Sequence, residues 1–330
     1  MEILKNVILL LIGFVLLVKG ADYFVDGSSS IAKKLRIPSV IVGLTIVAMG
    51  TSLPELAVSV TAGLNHANEI AISNVVGSNL FNLIVVLGVC AAISPIAVDK
   101  SVMKTDMPVM LGVTGILAIM FADFVKPWSG AVEKGYSGTL SRLNGAILLV
   151  LFIAYITYTV KKALKHRKNV MNAETEESNE KQQKVWVSLI YIIGGIIAIK
   201  YGGDFVVDSA SALAIKFGMS PTLVGLTIVA VGTSLPELVT SIVAAKKGET
   251  GLAIGNVVGS NIFNILFILG VSSVISPIAV ITDSFIDIVI VLVVSIVVFG
   301  FGKSRDKISR KEGIIMISIY IIYMIYAIMR

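Results

Sequence analysis

Two nearly identical stretches decide the fold: VAMGTSLPELAVS at Val47–Ser59 and VAVGTSLPELVTS at Val229–Ser241. Each places a glutamate, Glu55 or Glu237, directly after a proline inside an otherwise apolar run. Removing an ionised carboxylate from water costs free energy unless the charge is paired or coordinates a metal ion. A chain that carries this costly group twice, in the same sequence context, needs a reason to keep it.

The composition places the whole chain in a membrane. Of its 330 residues, 56% are hydrophobic and 15% are charged, and the mean hydropathy is +0.92. Soluble domains carry more charge, and the apolar runs here are long enough to cross a bilayer as helices. We therefore expect an integral membrane protein with no soluble domain. We attribute the net charge of +6 to lysines and arginines that orient the chain in the membrane. We therefore expect contact with membrane lipid and not with nucleic acid.

A repeat relates the two halves of the chain. Adding 182 to a residue number aligns 43–98 with 225–280 without a gap, and about 34 of the 56 positions are identical. We predict an all-α protein of ten transmembrane helices, five in each half. Because five is odd, the second half must cross the membrane in the opposite sense, which gives two inverted repeats. The predicted spans are 5–24, 38–63, 70–93, 105–123, 143–161, 186–206, 219–245, 252–275, 281–301 and 313–329.

The domain boundaries and the orientation follow from this count. The first repeat is predicted at 1–161, a cytoplasmic linker at 162–184 and the second repeat at 185–330. With both termini outside, about 20 of the 27 lysines and arginines fall on the inner side. This bias agrees with the excess of positive charge on cytoplasmic loops. We expect a multi-pass protein of the plasma membrane with a cytoplasmic central loop.

The residues around each glutamate are typical of a cation site. Pro54 and Pro236 lack an N–H and break their helices, which exposes backbone carbonyls that are tolerated at this depth only near a cavity or ion. No lysine or arginine lies in the apolar parts of the second, third, seventh or eighth spans. The countercharge is therefore a proton or a bound cation. Further oxygen donors follow in both repeats: Thr51, Ser52, Ser78 and Asn82 in the first, and Thr233, Ser234, Ser260 and Asn264 in the second.

The donor chemistry narrows the ion. Every candidate ligand is an oxygen, which suits Ca²⁺ and alkali cations and not Zn²⁺ or Cu²⁺. The single cysteine, Cys90, excludes an internal disulfide and a thiolate cluster. Four further asparagines are interpreted as interhelical hydrogen-bonding residues in preference to ion ligands: Asn74, Asn79, Asn256 and Asn261.

At these residues the sequence resembles the sodium/calcium exchangers of the cation/calcium exchanger superfamily. GTSLPE at 50–55 and 232–237, each followed by GSN at 77–79 and 259–261, is similar to the two α-repeats of that family. The resemblance implies ion binding at mid-membrane between the second, third, seventh and eighth spans. It assigns Glu55 and Glu237 as the central acidic ligands and adds the carbonyls of Ala48 and Ala230. It also implies that the first and sixth spans slide across the others.

We predict a secondary antiporter, not an enzyme, that exchanges Na⁺ for Ca²⁺ by alternating access and extrudes Ca²⁺ electrogenically as a monomeric unit. Na⁺ and Ca²⁺ are substrates, and no prosthetic group is expected. Asn264 stands where many relatives, including potassium-dependent exchangers, carry aspartate, so we expect no K⁺ requirement. A Ca²⁺/H⁺ exchanger and, less favoured, a cation channel stay open as alternatives. A membrane-embedded enzyme is the weakest candidate.

Overall fold

The protein is a bundle of long apolar helices. The computed structural model describes residues 2–121, 136–173, 184–219, 224, 228 and 230–329. Among these residues, eight helices are long and apolar enough to cross a membrane, and one bent helix pair passes the same criterion. The predicted all-α membrane architecture is confirmed. Most of the first part of the predicted seventh span lies outside the described residues.

The described part of the first repeat contains six helices, because one span is broken. Their bounds are α1 Glu2–Leu35, α2 Ser39–Thr51, α3 Leu53–Leu64, α4 Glu69–Ile93, α5 Val102–Phe121 and α6 Arg142–Ala173. Helices α2 and α3 meet at an angle of 48°. Helix α6 continues well past the predicted span end at residue 161. It takes in the first part of the predicted linker, and residues 174–183 lie outside the described chain.

The second repeat follows the same order. Its helices are α7 Val185–Lys216, α8 Ala230–Gly232, α9 Leu235–Lys246, α10 Thr250–Ile275, α11 Thr282–Arg305 and α12 Arg310–Met329. Helices α4 and α10 are equivalent in the two repeats and lie at the centre. Of the most apolar 18-residue stretch of each helix, 72% and 78% is buried. The equivalent figures for α1 and α12 are 17% and 11%, so these helices lie at the periphery.

Two pairs of short strands join the repeats, and each pair takes one strand from each repeat. Strand β1 (Ile96–Ala97) of the first repeat pairs with β4 (Lys307–Ile308), which connects the last two helices of the second repeat. Strand β3 (Ile278–Ile281), the 182-residue equivalent of β1, pairs with β2 (Tyr136–Leu140) of the first repeat. Each repeat therefore contributes its own segment to the other, as a two-fold axis requires.

Helices α1 and α7 pack closely against each other through glycines. A Cβ placed on Gly13 would lie 2.9 Å from the carbonyl oxygen of Gly202, and one placed on Gly20 would lie 3.0 Å from that of Gly195. The two contacts are copies of one another, because 13 and 20 map to 195 and 202. Small residues allow helix backbones to approach this closely within a membrane.

Three described helices contain wider turns with the π-helical pattern next to the repeated motifs. Such turns occupy Gly43–Val47 in α2, Asn82–Val86 in α4 and Asn264–Ile268 in α10. The last two begin at equivalent asparagines. A π turn inserts an extra residue into the helix and often marks a functional site. Here it changes the direction in which the following side chains point.

Candidate cation site

The broken helices set both glutamates at the start of a new helix. Ser52 separates α2 from α3 with φ −86° and ψ 12°, and Ser234 separates α8 from α9 with φ −93° and ψ 6°. Glu55 and Glu237 then lie in the first turns of α3 and α9 and are fully buried. The predicted break beside each glutamate is confirmed. Unpaired backbone N–H groups and the helix dipole favour negative charge at these positions.

The two glutamates are tied to the opposite repeats. The Ser52 hydroxyl donates a hydrogen bond to Glu237 Oε1 at 2.7 Å. Its equivalent, the Ser234 hydroxyl, donates to Glu55 Oε1 at 3.3 Å. These crossed contacts bring one carboxylate from each repeat into a single buried cluster.

Helices α4 and α10 supply the polar wall of the cluster. Ser78 Oγ donates to Glu55 Oε1 at 3.3 Å and accepts a hydrogen bond from Asn264 Nδ2 at 3.2 Å. Ser260 Oγ donates to the carbonyl oxygen of Ala48 at 3.4 Å. The wall therefore combines hydroxyl, amide and backbone oxygens around the two carboxylates.

Several buried oxygens of the cluster have no hydrogen-bond partner among the described residues. Glu55 Oε2, Glu237 Oε2 and Asn264 Oδ1 accept no hydrogen bond from any described residue, and neither amide atom of Asn82 is paired. Leaving such a group unsatisfied costs about 1–3 kcal/mol. Carboxylate and amide oxygens are the ligands that hard cations such as Ca²⁺ prefer. The residues present therefore fit a bound cation.

The remaining predicted ligands lie around this cluster, and the hydroxyl groups of its two threonines also contact other residues. Thr51 Oγ1 lies 3.1 Å from the carbonyl oxygen of Val47 and 3.0 Å from Asn256 Oδ1, and it also borders the Glu237 carboxylate. Thr233 is half-buried, with Oγ1 at 3.5 Å from Asn74 Oδ1. Ala230 is the first residue of α8, and its carbonyl as a ligand stays a prediction.

Comparison with known proteins agrees with this geometry. The family model described as "Sodium/calcium exchanger protein" matches residues 5–161 and 187–329. The chain belongs to the sodium/calcium exchanger family. Among relatives of this family member, the sodium/calcium exchanger MaX1 of Methanosarcina acetivorans is 36% identical over 97% of both chains. The inner membrane protein YrbG of Escherichia coli is 34% identical over 82% of this chain and 79% of its own.

Solved structures of the sodium-calcium exchanger NCX_Mj share the fold of this family member. One, soaked with zero Na⁺ and Ca²⁺, superposes with a TM-score of 0.82 at 34% identity and covers 99% of this chain and 100% of its own. Another, soaked with 10 mM Na⁺ and 10 mM Sr²⁺, gives a TM-score of 0.80 at 35% identity over 97% of each chain. The family is one of membrane transporters, which agrees with the antiporter prediction and with an integral membrane location.

Four asparagines of this family member connect the helices around the cluster through hydrogen bonds. Asn74 Nδ2 donates to the Glu55 carbonyl at 3.1 Å and to Ser59 Oγ at 2.9 Å. Asn256 Nδ2 repeats both contacts, with the Glu237 carbonyl at 3.4 Å and with Ser241 Oγ at 3.0 Å. The sequence analysis missed these serines, although both recur at the 182-residue offset within the opening motif.

The other two asparagines join α4 to α10 across the two-fold axis. Asn79 Nδ2 donates to the carbonyl oxygen of Asn261 at 3.3 Å, and Asn261 Nδ2 donates to that of Asn79 at 3.2 Å. The interhelical hydrogen bonds predicted for the four asparagines are confirmed. This reciprocal pair holds the two central helices, and hence the two halves of the cluster, in register.

Two cavities border the helix breaks on one side of the cluster. The first, of about 390 Å³, is lined by residues that include Gly50, Thr51 and Pro54. The second, of about 340 Å³, is lined by residues that include Gly232 and Thr233. Both therefore border the motif residues next to the glutamates, and each is lined by one of the two predicted threonine ligands.

Proposed function

We propose that this chain is an antiporter that exchanges Na⁺ for Ca²⁺ across the membrane. The observation that carries the proposal is the crossed pair of fully buried glutamates, each with one carboxylate oxygen that accepts no hydrogen bond from any described residue. Two such groups require a cation or protons to balance them. The relatives named as sodium/calcium exchangers, MaX1 and NCX_Mj, identify Na⁺ and Ca²⁺ as the ions to test first.

The proposed ligands divide into charged and neutral oxygens. Glu55 and Glu237 supply a fixed charge of about −2, which one Ca²⁺ or two Na⁺ would neutralise. The neutral ligands are Thr51, Ser52, Ser78, Asn82, Thr233, Ser234, Ser260 and Asn264, with the carbonyls of Ala48 and Ala230. Since Asn264 adds no charge, the site has no excess negative charge for K⁺ to balance, and exchange proceeds without K⁺.

Charge counting also bears on the stoichiometry. Three Na⁺ for one Ca²⁺ moves one net charge per cycle and couples exchange to the membrane potential by about 2.3 kcal/mol per 100 mV. An inside-negative potential then favours Ca²⁺ extrusion. A current that accompanies exchange supports this ratio, and electrically silent exchange contradicts it.

Access alternates between the two sides around a fixed site. The inverted repeats make the two entrances related by the same two-fold axis, which is the arrangement that alternating-access transporters use. The glycine contacts of α1 and α7 make these two helices one packed unit that slides across the others. Both termini lie outside and the central loop is cytoplasmic. Each monomer is a complete transport unit in the plasma membrane.

The test is Na⁺-dependent uptake of radioactive Ca²⁺ into liposomes that hold the purified protein. Glu55→Gln and Glu237→Gln keep the side-chain volume and remove the charge, so each should abolish uptake. Glu69→Gln is the matched control, because Glu69 is an exposed glutamate in the first turn of α4. Uptake that survives both changes at the cluster would refute the proposed site.

Ca²⁺/H⁺ exchange is the second candidate, because two buried carboxylates can release protons when Ca²⁺ binds. The same liposomes distinguish the two functions. Uptake driven by a pH gradient in the absence of Na⁺ selects Ca²⁺/H⁺ exchange. Uptake that requires a Na⁺ gradient and is unchanged by removing K⁺ selects K⁺-independent Na⁺/Ca²⁺ exchange. Discrete single-channel steps in planar bilayers would select a channel in place of either.

A further inference from the structure

A lysine lines the cavities that border the helix breaks. Lys200, on α7, lines both cavities together with Pro54 and Pro236, the two prolines next to the glutamates. Asp204 and Asp208 line the second cavity. A fixed positive charge near a cation site opposes the approach of every cation, so its presence there requires an explanation.

The Lys200 ammonium group is held in place by its neighbours. Nζ lies 2.7 Å from Asp204 Oδ2 and 4.5 Å from the centre of the Tyr201 ring. The two side chains of the ion pair are about half exposed, at 51% and 46%. Contact with a carboxylate and an aromatic face restrains the ammonium group beside the cavities. The ion pair therefore presents two opposite charges of defined position at this entrance.

The equivalent position in the first repeat has no lysine. The 182-residue offset maps Asp204 onto Asp22, so the acid recurs, but it maps Lys200 onto Val18. At Asp22 the cationic partner is instead Lys247, from the turn after α9, with Nζ at 3.4 Å from Oδ1. The two aspartates are therefore paired differently: the lysine that contacts Asp204 comes from the same helix, whereas Lys247, which contacts Asp22, comes from the other repeat.

We propose that Lys200 neutralises the attraction of Asp204 for cations at the entrance formed by the two cavities, so that this carboxylate does not retain Ca²⁺ there. This rests on the proposed function, since it concerns cations that reach the cluster. The electrostatic energy between a fixed charge and an ion is proportional to the charge of the ion. Lys200 therefore opposes Ca²⁺ twice as strongly as Na⁺, and Asp204 offsets the effect. With both charges present the two effects cancel for either ion, whereas Asp204 alone would hold Ca²⁺ more strongly than Na⁺ at this entrance.

The test uses a charge cycle at the pair. Lys200→Gln leaves Asp204 unbalanced and should lower the half-saturating concentration by about threefold for Na⁺ and about tenfold for Ca²⁺ at low ionic strength. Asp204→Asn leaves Lys200 unbalanced and should raise both concentrations by similar factors. In each variant the fold-change for Ca²⁺ should be the square of that for Na⁺. The double variant removes both charges and should return to the wild-type values.

The control is Lys216→Gln, at the end of the same helix. Lys216 forms an ion pair with Glu2 at 3.0 Å and does not line either cavity. This variant removes one positive charge from α7 and should leave the ratio of the two half-saturating concentrations unchanged.

The proposal fails if the half-saturating concentrations of Na⁺ and Ca²⁺ change by the same factor, or if those of the double variant differ from the wild-type values. It also fails if the two single variants shift these concentrations in the same direction. Titration calorimetry of Na⁺ and Ca²⁺ on the purified variants provides the same comparison without transport. Loss of Na⁺-driven Ca²⁺ uptake in the wild-type protein would refute the proposed function. Wild-type uptake with unchanged affinities in the charge variants would refute the role of the Lys200–Asp204 pair alone.

Discussion

Neighbouring glycines of α7 should respond in opposite directions to the same substitution. A Cβ on Gly195 would lie 2.8 Å from both the carbonyl oxygen of Gly20 and Cβ of Phe24, atoms of α1. Normal van der Waals contact starts near 3.4 Å, so the helices must separate by about 0.6 Å, and such overpacking costs about 1–3 kcal/mol. Gly194 is exposed and a Cβ there meets no described atom within 4 Å. Alanine at Gly194 should therefore gain up to about 1 kcal/mol of helix propensity.

The assay is thermal unfolding of the detergent-solubilised protein, followed by fluorescence-detected size exclusion. Gly195→Ala should lower the midpoint by several degrees, and Gly194→Ala should leave it unchanged or raise it. Because both variants add one methyl group to adjacent residues of one helix, helix propensity cancels in the comparison. Equal midpoints for the two variants would show that α1 and α7 are not in the close contact described.

Two further predictions concern buried polar pairs. Lys162→Met should destabilise the protein by about 3 kcal/mol, because it leaves the fully buried Asp106 without the ammonium group that lies 3.1 Å away. Adding Asp106→Asn should restore most of the lost stability. A double variant as unstable as the single one would contradict this account. Asn79→Ala should lower the unfolding midpoint more than Asn261→Ala. The reason is that Asn79 Oδ1 also accepts a hydrogen bond from Asn264 at 3.0 Å, whereas Asn261 Oδ1 has no partner among the described residues. The reverse order in thermal melts would contradict this prediction.

The sequence was sufficient to predict the fold and the two glutamates of the cluster. The 182-residue offset makes α1, α3, α4 and α5 recur as α7, α9, α10 and α11, and an odd number of spans per half forces the inversion. Glu55 and Glu237 could be identified because a carboxylate inside an apolar run has few explanations. Their convergence on one place follows from the two-fold axis. The oriented topology, with both termini outside, stays a prediction.

Details that depend on tertiary packing could not be predicted. A π turn has the same composition as the helix around it, so nothing in the sequence marked the turns that begin at Asn82 and Asn264. Serine next to a helix break can bond to its own backbone or to another helix, and only the packed structure shows that Ser52 binds Glu237. The extension of α6 to Ala173 was missed because hydropathy falls at the lysines after residue 160, whereas lysine favours helix as well as most apolar residues do.

The exchange of serines between the repeats has a consequence for how such a chain can arise. A half-length protein carrying only the first repeat would hold Glu55 and Ser52 yet could not join them, since in the folded chain each contacts a residue of the other copy. A single-repeat ancestor could assemble this cluster only by pairing two copies inserted into the bilayer in opposite directions. Gene duplication and fusion would then have made permanent a partnership that previously depended on random insertion.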